Sequence, residues 1–157
     1  MRSWTTFLVF GGIIVAIVLL FAFSRISNST NPVTQASMNF LDAVANSQLT
    51  TVNALLDPKS STTTTVGSQL ASVKFNECTV GDTGAFGHLA SVIWSTMEIK
   101  ALTIDETRAP VVTEDTTGAG LATIQCKNGA KILLRRGSPD APWHIFYLAK
   151  PDEKDKP

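Results

Sequence analysis

Residues Thr5 to Phe23 form an unbroken apolar and small-residue run without a single charge, and Arg2 and Arg25 stand just outside its ends. About nineteen residues at the helical rise cover roughly 28 Å, close to the hydrocarbon thickness of a bilayer. The run therefore predicts one membrane-crossing helix. Trp4 suits the interfacial position at its leading edge, and Gly11 and Gly12 are compatible with a membrane helix. The rival reading is a cleaved secretory signal, for which Ala22-Phe23-Ser24 is a passable cleavage pattern, but signal cores are normally shorter, about 7 to 15 residues. A buried core helix is disfavoured, because so polar a small domain has little reason to bury a segment apolar on every face.

The remainder divides into a tether and one small domain. The organisation read from sequence is an anchor over residues 1–25, a Ser/Asn/Thr-rich tether over 26–31, a domain over 32–150 and a charged tail over 151–157. The chain carries 13 basic and 13 acidic residues; setting aside Arg2 and Arg25 leaves the folded part slightly acidic. Nucleic acid, which demands a basic excess, is excluded as an expected partner. The charges flanking the apolar run nearly tie under the positive-inside rule. The acid-free tether and an even cysteine pair, Cys78 and Cys126, lean toward an extracytoplasmic domain, which places the chain as a single-pass cell-membrane protein. An even pair in an exported domain favours a disulfide, closing a loop of roughly 49 residues; two buried thiols are the alternative.

Helical periodicity begins at Asn31-Pro32, a cap followed by proline at the first helical position. Val33, Ala36, Phe40, Leu41 and Val44 then share one face, and after a break at Asn46-Ser47 so do Leu49, Val52, Leu55 and Leu56. Asp57-Pro58 ends the second helix. Lys59 to Val66 reads as an exposed Ser/Thr loop. Gln69 to Phe75 suits a helix end or a strand, and Gly81, Gly84 and Gly87 read as a flexible loop, since no GK[ST] accompanies them. Met97 to Ile104 reads as a strand with a bulge near Ala101. Gly120 to Lys127 and Ala130 to Arg136 flank Asn128-Gly129, which predicts a two-residue type I′ hairpin. That register sets Ile124 opposite Leu133, Thr123 opposite Leu134 and Cys126 opposite Lys131. Trp143 to Leu148 is the final strand, rich in aromatic and β-branched residues.

The helix pair Ser37-x-x-Phe40-Leu41-x-Ala43-Val44-Ala45 followed by Leu49 to Leu56, and the closing Ala141-Pro142-Trp143-His144-Ile145, resemble the nuclear-transport-factor-two-like superfamily, also called cystatin-like or ketosteroid-isomerase-like, in its membrane-anchored bacterial form. The resemblance spans roughly residues 32–149 and rests on packing signatures. It implies an α+β fold in which an N-terminal transmembrane helix precedes two or three short helices packed on a curved, cone-like antiparallel sheet. It also implies that Asp42 or His144 would occupy the cavity in a catalytic member, and that copies pair through the sheet.

Neither residue has a catalytic partner in the sequence. Asp42 lies at the edge of the apolar stripe, and His144 alternates away from Trp143, Ile145 and Tyr147. His88 is likewise isolated. The expectation is a non-catalytic protein-interaction module with no cofactor and no metal, whose partners are the bilayer and a protein or a second copy. A carrier of lipid or another apolar ligand is the alternative, and an enzyme the third. The expected contact surface comprises His144, Phe146 and Leu148, alternating outward, with Lys131 and Arg135 sharing one face of the hairpin.

Overall fold

A computed structural model describes residues 31–58, 61–66, 69–76 and 91–151, and for 61–66 the backbone alone. The expected anchor, the tether up to Thr30, the glycine-rich segment with His88, Cys78 and the tail beyond Pro151 lie outside the described residues. Among those described, no helix is long and apolar enough to cross a membrane.

Helix α1 spans Pro32–Ala45 and buries Val33, Phe40, Ala43 and Val44 on the face that the apolar spacing predicts. It closes in a Schellman motif: the Gln48 N–H donates to the Ala43 carbonyl at 2.8 Å and the Ser47 N–H to the Val44 carbonyl at 3.1 Å. Ser47 takes the left-handed conformation, φ 54°, where glycine is the usual occupant. Helix α2, Leu49–Leu55, folds back on α1 and buries Val52.

The Thr-rich stretch is a strand and not a loop. Strand β1, Ser61–Val66, pairs antiparallel with β2, Gln69–Phe75, which pairs with β3, Val92–Ser95. Threonine is β-branched, and its preference for extended backbone outweighs the polarity that suggested a loop. The Met97 to Ile104 segment is also corrected. Thr96–Lys100 is a short helix, α3, nucleated by a capping box: the Ser95 hydroxyl accepts from the Glu98 N–H while the Glu98 carboxylate accepts from the Ser95 N–H at 2.8 Å. Ile104 makes only an isolated bridge to Cys126.

The second sheet has the order β4-β5-β6-β7: Val111–Glu114, Gly120–Gln125, Lys131–Arg136 and His144–Ala149. The β5–β6 hairpin forms where expected, one residue out of the expected register: Thr123 faces Leu133, Ile124 faces Ile132 and Gln125 faces Lys131. The Cys126 N–H donates to the Ala130 carbonyl at 2.7 Å and the Gly129 N–H to the Cys126 carbonyl at 2.9 Å, enclosing a three-residue loop. Gly129 alone has positive φ, 90°, as a type I turn with a G1 bulge requires. The burial alternation of β5 favours this register, since it sets Ile124 beside Ile132 and Ala122 beside Leu134, buried with buried.

Strand β7 is buried from Ile145 to Ala149. Its pairing with β6 shifts between Leu133 and Leu134, so that Leu133 faces Tyr147 and Leu134 faces Ile145, with Phe146 taken up in the irregularity. The Phe75 ring of β2 packs on Tyr147 at 6.2 Å, and the Trp94 indole N–H donates to the Leu148 carbonyl at 3.0 Å. These contacts tie the two sheets into one core.

Two backbone positions test these assignments. Ser47→Gly should stabilise the domain by about 0.5–1 kcal/mol by removing the left-handed strain. Gly118→Ala should destabilise it by about 1–3 kcal/mol, because Gly118 has φ 78° and an added Cβ would overlap Pro139 Cγ. Chemical denaturation of both variants would read the opposite signs.

Candidate functional site

Strand β6 ends in two consecutive arginines, whose side chains an extended backbone sends to opposite faces of the sheet. Each is placed against an aromatic ring and paired with a carboxylate. Arg135 donates through Nε to Asp57, and its guanidinium lies 5.3 Å from the centre of Phe146. Asp57 reaches that position because α2 ends against the sheet: Leu56 makes a parallel bridge to Ile145, and the Asp57 N–H donates to the Ile145 carbonyl at 2.8 Å. The Asp57 and Arg135 side chains keep only 11% and 21% of their exposure, so the pair is substantially shielded from solvent.

Arg136 donates through Nη2 to Glu114 at 2.6 Å and through Nη1 to the Pro139 carbonyl at 2.9 Å, and stacks 4.8 Å from Trp143. Glu114, Gly120 and Arg136 are cross-strand neighbours on β4, β5 and β6. Gly120 keeps the middle position open: an added Cβ there would stand 2.8 Å from Trp143 Cη2. Arg136 can therefore cross over Gly120 to Glu114 with Trp143 lying alongside. Its Nε is buried with no hydrogen-bond partner. Beside this lattice is an open hollow of about 390 Å³, walled by Thr113, Glu114, Asp115 and Leu121 with the two arginines.

Guanidinium stays protonated throughout the physiological range, and it occupies the Asp57 and Glu114 carboxylates, while Asp115 accepts from the Thr117 hydroxyl and N–H. Asp42 is exposed on α1, in agreement with a solvated helix residue. His144 is half-buried on β7, opposite Arg135. Among the described residues, no cluster of three His, Cys, Asp or Glu side chains could hold a metal.

Two of the five residues of the expected contact surface are buried in the core. Phe146 is 1% exposed and Leu148 0%, because β7 is covered on both faces: Phe146 lies beneath the Arg135 guanidinium, and Leu148 is held beside Trp94. Arg135 is half-buried and committed to Asp57 and Phe146. Lys131 is also half-buried, between Gln125 and Ala149. Cys126 is a free buried thiol where the cysteine pair led us to expect a disulfide, and Cys78 lies outside the described residues. Burial pushes the Cys126 thiol up to about 11, which leaves it almost wholly protonated near neutral pH.

Sequence reasoning missed Asp57 as a partner of Arg135, having taken it only as a helix stop. It also missed β4. Lys150, taken as the last residue before the tail, bonds the Glu98 carboxylate at 3.1 Å and lies 5.2 Å from the Trp94 ring. The Ser95 hydrogen bonds, and then Lys150, hold the Glu98 carboxyl below its ordinary range.

Two outcomes are expected. Arg135→Met should lower stability by roughly 2–3 kcal/mol by removing the cation that faces the shielded Asp57 carboxylate, and Asp57→Asn in that background should recover part of the loss, a coupling that a double-mutant cycle reads directly. Cys126 should resist alkylation in the folded chain at neutral pH and react once denaturant is added; mass mapping of the modified peptide checks it.

No family model, curated protein or solved structure matches the chain.

Proposed function

We propose that the chain is a non-catalytic, membrane-anchored extracytoplasmic interaction module of the nuclear-transport-factor-two-like kind, serving as an accessory or assembly subunit of a larger membrane complex. The observation that carries this reading is the outer edge of β4. Val111 is 68% exposed and Val112 41% exposed, on a strand at the end of its sheet, and all four residues of the strand are exposed. An apolar strand edge open to solvent is a ready site for another chain.

The chain's own chemistry supports the same reading. Its shielded charges are paired, its described thiol is protonated, and two helices followed by antiparallel strands suit the proposed superfamily. The apolar run Thr5 to Phe23 would hold the domain at the bilayer. The hollow beside β4 has charged walls, which suit a polar partner better than a lipid.

The test is purification of the full chain from membranes in a mild detergent. The chain should sediment with the membrane fraction and emerge with itself or with a defined protein in fixed proportion. A chain that is monomeric and partner-free both in detergent and after cross-linking in its native membrane would refute the interaction reading, and one recovered in the soluble fraction would refute the anchor.

A further inference from the structure

We infer that the β4 edge takes a second copy of this chain, in antiparallel register about Val112; the inference rests on the interaction reading above and specifies its partner. The hydrogen-bond phase of the edge is fixed by its neighbour. Asp115 donates its N–H to Ala119 at 2.9 Å, continuing the ladder in which Thr113 faces Leu121 and Val111 faces Thr123. Alternate residues bond to alternate sides, so Val111, Thr113 and Asp115 are turned toward β5, while Val112 and Glu114 turn their N–H and C=O groups outward.

An antiparallel partner must present outward-turned residues opposite these. For two identical strands, one such register sets Val112 opposite Val112 on a two-fold axis and Glu114 opposite Pro110. Proline there loses nothing as an acceptor: the Glu114 N–H can donate to the partner's Pro110 carbonyl, and the two Val112 residues exchange their bonds. Val111 of each copy then faces Thr113 of the other, and the exposed apolar side chains meet across the junction.

Charge selects the antiparallel sense. Arg108 precedes the strand, is 62% exposed, lies 3.3 Å from the Asp105 carboxylate and donates to Gln125 at 2.7 Å, while Glu114, paired with Arg136, and Asp115 end the strand. Antiparallel pairing brings each Arg108 to the acidic end of the other strand, at both ends of the junction; parallel pairing would set like charges together. The opposite edge of the same sheet is closed to such pairing, since Asp57 and Trp94 already bond the Ile145 and Leu148 carbonyls of β7. A four-residue junction buries far less than the roughly 1,200 Å² of a stable complex, so the pairing is weak in dilute solution and gains from confinement of both copies in one membrane.

The experiment is oxidative cross-linking of the full chain in native membranes. In this register the two Val112 Cα atoms lie about 5.5 Å apart, within disulfide reach, whereas the two Val111 residues are offset by two positions and stand beyond the roughly 7 Å that a bridge spans. Val112→Cys should give a covalent homodimer well above the parent chain and above Val111→Cys. Adding Arg108→Glu to Val112→Cys should lower that yield. Continued protection of Cys126 from alkylation reports that each variant is folded. Equal cross-linking at Val111 and Val112, or no homodimer above the parent from folded protein, overturns the inference. A parent chain that still co-purifies with a different protein would then leave the interaction reading standing, whereas a monomeric, partner-free parent chain would remove both.

Discussion

Strand β7 is the element on which the rest of the structure depends, because it is occupied on both faces and on both edges. One edge is laddered to β6, and the other is held by the Asp57 N–H at Ile145 and by the Trp94 indole at Leu148. Each of those two bonds brings in a different part of the fold, the exit of α2 in one case and the three-stranded sheet in the other. Burial supplies most of the stabilisation, since Ile145, Tyr147 and Leu148 are fully buried and such side chains contribute roughly 1.5–3 kcal/mol each. The exposed Lys150–Glu98 pair contributes at most about 1 kcal/mol. Packing therefore fixes where β7 lies, and the polar contacts decide its alignment.

The same strand explains why the arginines sit as they do. The shift in pairing after Leu133 takes up Phe146, which offers its ring to Arg135, while Trp143 just before the strand offers its own to Arg136. A guanidinium removed from water needs both hydrogen-bond acceptors and a surface to lie on. Asp57 and Phe146 supply these on one side; on the other, Glu114, the Pro139 carbonyl and Trp143 serve the two terminal nitrogens and the plane of Arg136, while its Nε stays without an acceptor. Gly120 is required for the second arrangement, because any side chain at that position would fill the space Trp143 occupies.

What could be read from the sequence follows from the range of the interactions involved. Helices α1 and α2 were legible because the periodicity of Val33, Phe40 and Val44, and of Leu49 and Val52, is local. The position of the β5–β6 hairpin was legible from Asn128-Gly129, but its register was not: two-residue and three-residue loops share that dipeptide, and the burial of Ile124 against Ile132 is a property of the assembled sheet. Helix α3 had a local signature, Ser95-Thr96-Met97-Glu98, which the alternating Ile99, Leu102 and Ile104 obscured. The Asp57–Arg135 pair had none, since its members are 78 residues apart and meet only once α2 has docked on β7. Two-residue alternation likewise placed Phe146 and Leu148 outside, because the rule presumes that one face of the strand is wet.

That failure bears on where this domain meets its surroundings. A strand covered on both faces and both edges has no surface left to offer, so the aromatic content of the C-terminal strand is a sign of the core and not of a contact site. Among the described residues, the exposed large apolar side chains are instead Val111 and Val112 on β4, Ile93 on β3, Met97 on α3 and Met38 on α1, and only β4 carries two in succession. The contrast between the two edges of one sheet is physical. At β7, side-chain and backbone donors answer the outward carbonyls of Ile145 and Leu148; at β4, the outward groups of Val112 and Glu114 face solvent beside exposed valines. A solvent-facing edge with apolar side chains gains from a partner that supplies both hydrogen bonds and apolar cover. Another strand supplies both at once, whereas a lipid surface supplies only the apolar cover, which is why strand pairing accounts for the β4 edge better than adsorption to the bilayer does.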